Sequence, residues 1–178
     1  SYIRYFGGVD DERIKKLMTV LDQELKKGIE QFVLLISSPG GSIFNGISAY
    51  NYLKGIPAEI ITYNFGSIDS IAVCIYCAGI KRFCVPHARF LIHGIGFDVT
   101  AGVRFDEKSL GERINDLKNE RETICRIISD NTGKKLEDVE RDMFTGITLT
   151  AEQAKGYGLV QEIKTQLFEK QAQMISIT

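Results

Sequence analysis

Short runs of branched apolar residues alternate along this chain with stretches whose apolar residues return every third or fourth position. That alternation restricts it to an α/β arrangement of mainly parallel strands with covering helices on both faces. The opening residues 1–8 read as a strand ending in glycines, and Asp10 is placed to cap a helix in which Ile14, Leu17, Met18, Leu21 and Leu25 share one face. Phe32 to Ile36 form a compact apolar run closed by Ser37-Ser38-Pro39-Gly40-Gly41, which predicts a core strand and a turn. A helix from Asn45 to Lys54 follows, then a strand from Glu59 to Tyr63, a loop from Asn64 to Ser67 and an apolar helix from Asp69 to Ala78. Strands at Arg82 to Val85 and Arg89 to Ile92 precede a long helix, Asp106 to Ser129, that stops at Asn131-Thr132-Gly133. A short helix at Leu136 to Met143, a strand near Ile147, a helix at Ala151 to Lys155 and a strand at Leu159 to Ile163 complete the pattern.

With 178 residues and no repeat or linker, the expectation is one domain, its core spanning about residues 5–164 and a tail covering 165–178. A net charge of −1, from 22 basic and 23 acidic side chains dispersed along the chain, gives no electrostatic footprint for nucleic acid or an anionic membrane. No apolar run reaches the roughly 20 residues of a membrane helix. The four cysteines, Cys74, Cys77, Cys84 and Cys125, lie in apolar segments and read as reduced core residues of a cytoplasmic protein. Cys74 and Cys77 have the C-x-x-C spacing, but no second pair or nearby histidine completes a metal set, so neither metal nor cofactor is expected.

In an open α/β sheet, ligands bind at loops leaving the carboxyl ends of strands. Two such loops carry glycine here, 37–41 and Gly66-Ser67-Ile68-Asp69-Ser70. Gly40 and Gly41 allow positive φ and close approach, so their amides are free to face a cleft. Ser70 at a helix start reads either as a cap or as a nucleophile beside unpaired amides. Only two histidines are available as a base. His93 ends a strand on the rim that carries Ser70, whereas His87 falls in a turn and reads as a surface residue. The nucleophile-elbow sequence G-x-S-x-G is absent.

Five blocks, ISSPGGS (Ile36 to Ser42), GSIDSIA (Gly66 to Ala72), KRFCVPHARFLIH (Lys81 to His93), TGKKLEDVERD (Thr132 to Asp142) and LTAEQAKGYGLV (Leu149 to Val160), resemble in order and spacing the proteolytic subunit of the Clp protease family. The resemblance implies a crotonase-like α/β spiral fold and a serine peptidase that cleaves peptides or unfolded polypeptides inside a homo-oligomeric ring. It implies Ser70 as nucleophile, His93 as general base, and the backbone amides of Gly41 and Ile71 as the oxyanion hole, with no cofactor. Substrate would add as a strand near Gly40-Gly41. The family also has an ATPase partner, and the resemblance implies that the family's axial-loop segment lies ahead of residue 1, which weakens the expectation of that partner.

Two departures from the family pattern stand out. Gapless alignment through Tyr157-Gly158-Leu159 puts Gly146 where the family has its catalytic aspartate, leaving Asp98, Asp142, Thr145 and Thr148 as nearby substitutes. The stretch 94–102 lacks the Gln-Pro that follows the family's histidine, in the region that joins rings back to back. Glycine at position 146 is ordinary in signal-peptide peptidases, which use a Ser-Lys dyad, and in crotonases, which hold an enolate with two amides. A catalytically weak or inactive ring subunit and a crotonase-type acyl-thioester enzyme are therefore the alternatives to a peptidase.

Overall fold

The computed structural model describes all residues, 1–178. Strand β1 (Tyr2–Phe6) leads through Asp10, whose side chain accepts from the Arg13 amide, into helix α1 (Asp11–Lys26). Strand β2 (Gln31–Ser38), helix α2 (Ile43–Gly55), strand β3 (Glu59–Asp69) and helix α3 (Ala72–Cys77) repeat the unit. Strands β4 (Lys81–Cys84) and β5 (Arg89–Ile92) precede the long helix α4 (Glu107–Thr132), which stops at Gly133 as expected but is capped by Asp106 and runs past the expected end at Ser129. Helix α5 (Leu136–Thr145), strand β6 (Ile147–Thr150), helix α6 (Ala151–Tyr157) and strands β7 (Glu162–Ile163) and β8 (Met174–Ile177) complete the chain.

The strands form one sheet in the order β6-β5-β3-β2-β1-β8, with β4 and β7 branching from β3. Every pairing is parallel except β5 with β6. The α/β class with mainly parallel strands is thus as the alternation predicts.

Strand β3 differs from expectation and builds the site. The sequence marks Asn64 to Ser67 as a loop because Asn, Gly and Ser favour turns, yet β3 runs on to Asp69. Its first half pairs with β4 up to Asn64↔Cys84, and its second half with β5 from Ser67↔Arg89. Asn64 is fully buried at the switch; its side-chain amide donates to the Arg89 carbonyl (2.8 Å) and its oxygen accepts from the Gly66 amide (2.9 Å). The polar side chain thereby satisfies groups that the change of partner would strand. A second correction follows: α3 starts at Ala72 rather than Asp69, so Ser70 precedes the helix.

The core lies against the face presenting Ile3, Tyr5, Phe32, Leu34, Ile36 and Ile60, where α3 is buried at every position. The alternate residues Tyr2, Val33, Ile61, Tyr63 and Phe83 point the other way and line a groove with residues 164 and 166–169. Helices were expected over both faces; here the chain's own terminal segment meets the second face, with Lys164 over the Phe83 ring and Phe168 edge-on to Tyr2. The expected tail also contains β8, which pairs in parallel with β1.

Candidate active site

Ser70 is the only non-glycine residue with positive φ, at +58°. A side chain in the left-handed region costs roughly 1–2 kcal/mol and persists only where its surroundings enforce it. The surroundings here are specific. The Ser70 amide donates to the Leu91 carbonyl (2.8 Å), closing the last rung of the β3–β5 ladder, after which the chain reverses into α3. Gly40 packs against the reversal: a Cβ at Gly40 would sit 2.7 Å from both the Ser70 Cβ and the Asp69 carbonyl oxygen, so only glycine fits. A strand-to-helix turn with a strained, partly exposed serine is the backbone of a nucleophile elbow, reached without the G-x-S-x-G sequence.

His93 lies just past the end of β5, the strand beside β3, and is exposed. It lines with Ser70 a cavity of about 10 Å³ whose remaining walls are Ile71, Ile92, Ile95, Ile124, Ile128 and Met143. The two residues are therefore brought together, although no hydrogen bond joins them and neither ring nitrogen of His93 has a partner. His87 is exposed in the β4–β5 turn, away from this cavity.

The loop after β2 is fixed to the segment after β1. The Val9 amide donates to the Gly40 carbonyl and the Ser42 amide to the Val9 carbonyl, both at 2.8 Å, with Gly41 between them at φ +150°. The Gly41 amide donates to no group in the chain, and neither does that of Ile71, a residue only 2% exposed. Ile71 follows Ser70 directly and Gly41 follows Gly40, which packs on Ser70, so two N–H groups without acceptors lie next to the residues of the turn in sequence; such groups are the kind that can hold an oxyanion.

Gly146 ends α5 at φ +77°. The antiparallel register pairs Ile92 with Ile147, which sets Gly146 opposite His93, and a Cβ at Gly146 would meet the His93 Cβ at 3.9 Å with nothing else nearby. No hydrogen bond links His93 to Asp98, Asp142, Thr145 or Thr148. Asp142 is engaged elsewhere, accepting from the Tyr157 hydroxyl (3.1 Å) and Arg141 (3.3 Å). Burial, and then the Asp142 carboxylate, push the Tyr157 phenol well above its ordinary pKa.

Sequence reasoning missed the brace beneath the serine. Asp69 accepts from Arg89 (2.6 Å) and from the Ser67 hydroxyl (2.7 Å), tying β3 to β5 one residue before Ser70. The only sequence signal is a pair of opposite charges that the register sets diagonally, with Arg89 opposite Ser67 and Asp69 opposite Leu91, invisible until that register is known. No three of the chain's His, Cys, Asp and Glu side chains converge as a metal site. All four cysteines are buried and free, and burial raises their thiols.

Comparison with known proteins agrees with this architecture. The Clp protease family pattern matches residues 2–166. The ATP-dependent Clp protease proteolytic subunit 2 of Corynebacterium efficiens is 32% identical over 160 residues, covering 88% of this chain and 78% of its own. Its counterpart in Corynebacterium glutamicum is 31% identical over the same shares. A solved structure of a ClpP1 variant from Listeria monocytogenes superposes with a TM-score of 0.83 at 24% identity, covering 93% of this chain and 91% of that one, which establishes a shared fold.

Proposed function

The chain belongs to the Clp protease family, and from that premise we propose that it is a serine peptidase in which Ser70 attacks the peptide carbonyl and His93 accepts its proton. The observation that carries this reading is the strained Ser70 turn lining one cavity with His93 and Ile71, while the amides of Ile71 and Gly41 are left without acceptors. As Ser70 Oγ adds to the carbonyl, the proton passes to His93, and the amides of Gly41 and Ile71 hold the oxyanion. The imidazolium then protonates the leaving amine, and water resolves the acyl-enzyme by the same route in reverse. Substrate is an extended peptide or unfolded polypeptide laid beside Gly40-Gly41, and the working form is a single-domain subunit in a homo-oligomeric ring. A Clp-type ATPase is the partner class the family implies, and the cytoplasm is the setting. The test is labelling with a fluorophosphonate: a Ser70 adduct that disappears in Ser70→Ala is expected, and an unlabelled Ser70 in assembled protein would count against the nucleophile assignment.

One observation favours a second reading. His93 has no partner on either nitrogen, and a glycine occupies the position opposite it where the family has a carboxylate. A subunit that keeps fold and assembly while a companion subunit cuts would share this geometry. It predicts ring formation with no hydrolysis and no effect of Ser70→Ala.

A further inference from the structure

We propose that this site selects the smallest apolar side chains, alanine or glycine, at the residue whose carbonyl Ser70 attacks; the inference rests on the Ser70–His93 reading and adds to it a substrate class. The cavity beside Ser70 has a volume of about 10 Å³. That is room for roughly one water molecule, and hence for a methyl group. Its lining besides Ser70 and His93 is wholly aliphatic, so a charged or amide side chain would enter without a partner.

The walls also resist widening. Ile71, Ile92, Ile124, Ile128 and Met143 are each between 2% and 4% exposed and belong to the main core, with Ile95 packed against it. Branching at Cβ holds isoleucine to few rotamers, so its side chain does not swing aside as a straight one does. Met143 is the unbranched exception, and its sulfur rests 3.4 Å from the sulfur of buried Cys125. Seating a leucine or phenylalanine there would overpack a closed core. The neighbouring grooves are of another size. One beside Gly41, Phe44, Phe97 and Arg113 measures about 390 Å³, and one beside Gly94, Ile95 and Phe144 about 380 Å³. Discrimination by size is thus concentrated at the residue attacked, and its neighbours in the substrate are held loosely.

The experiment uses the assembled protein and fluorogenic peptide amides identical except for Gly, Ala, Val, Leu or Phe at the cleaved residue. The alanine substrate is expected to exceed the leucine and phenylalanine ones in kcat/KM by about tenfold or more; equal or reversed order overturns the proposal. A fluorophosphonate without a side chain reports separately on the nucleophile, so a failure of the Ser70–His93 reading shows as no adduct. In that event the pocket is read by binding alone. Acetylated dipeptides ending in Ala or Leu are titrated into Ser70→Ala protein carrying labelled isoleucine methyl groups. Methyl shifts that saturate at about tenfold lower concentration for the Ala peptide support the proposal. Tighter or equal binding of the Leu peptide, or no binding of the Ala peptide, overturns it. Ile128→Val, mild enough to keep the fold, is expected to raise the Leu-to-Ala ratio severalfold in whichever assay applies, and an unchanged ratio removes Ile128 as a wall.

Discussion

Ser70 carries a Cβ in the left-handed region, where glycine sits at less cost, and the fold tolerates that cost at this one position. The consequence is measurable without any substrate. Ser70→Gly is expected to be more stable than Ser70→Ala by about 1 kcal/mol, since only alanine retains the clash, although glycine adds freedom to the unfolded chain. Urea unfolding of the two variants decides it, and a more stable alanine variant would show the turn to be unstrained. The position opposite His93 gives the complementary experiment. Gly146→Asp sets a carboxyl where a Cβ would lie 3.9 Å from the His93 Cβ. Loss of the aspartate of a serine triad lowers kcat about ten-thousandfold in a studied case, so even a poorly aimed carboxylate is expected to speed fluorophosphonate labelling of Ser70 by about tenfold. Gly146→Ala supplies the control, because φ +77° strains any side chain. Equal labelling by both variants would mean that His93 lacks nothing that a carboxylate supplies.

Among the elements, Arg82 is the point where three helix ends meet. The buried guanidinium donates to the carbonyls of Gly79 after α3, Asn131 in the last turn of α4, Gly158 capping α6, and Leu159. Carbonyls at helix C-termini lack internal donors and carry the negative end of the dipole, so one cation satisfies groups that three helices leave open. Arg82→Met is expected to cost about 3 kcal/mol, seen as a lower urea midpoint at unchanged slope; a loss below about 1 kcal/mol would assign the clamp to packing alone. This junction illustrates what the sequence shows and hides. Alternating periodicities reveal β1 through α2 and the long α4, because each buries a face of its own. Arg82 reads as an ordinary strand cation, since its partners are backbone atoms distant in sequence. Strand β3 past Tyr63 is hidden for the same reason: Asn64, Gly66 and Ser67 are turn formers until β5 and the Asn64 side chain bond them. The strand ends suggest that Ser70 and His93 share a rim, and the two line one cavity, but the roles proposed for them come from the family resemblance. The opposition of Gly146 to His93 depends on the β5–β6 register, and the brace Asp69–Arg89 on that of β3 with β5.

For the molecule as a whole, burial of thiols gives a stability that depends on alkaline pH. A free thiol ionises near 9, whereas desolvation raises Cys84 and Cys125 to about 11 and Cys77 to about 12. Below pH 9 both folded and unfolded chains hold these protons. Between 9 and 11 only the unfolded chain releases them, so stability declines as pH rises through that window. Urea midpoints at pH 8, 9.5 and 10.5 should fall in order, and replacing Cys84 by alanine should flatten the decline; a flat profile in the parent chain refutes it. The proposed assembly can be tested at the apolar surface that the protomer leaves open. Helix α4 is buried at Ile124, Cys125, Ile127 and Ile128, while Leu110 and Ile114 in its first half stay 45% and 43% exposed. Val99 and Val103, just before the helix, are 59% and 51% exposed. Exposed apolar side chains grouped along one segment are candidates for a contact surface, and a second copy of the chain is the partner that the proposed ring supplies. Leu110→Glu with Ile114→Glu is expected to leave the protomer folded, because neither side chain is in the core. It should lower the mass measured by light scattering from that of an oligomer toward 19.9 kDa. If the doubly substituted chain kept its parent mass, the first half of α4 would not be the contact, and assembly would have to use another face of the protomer.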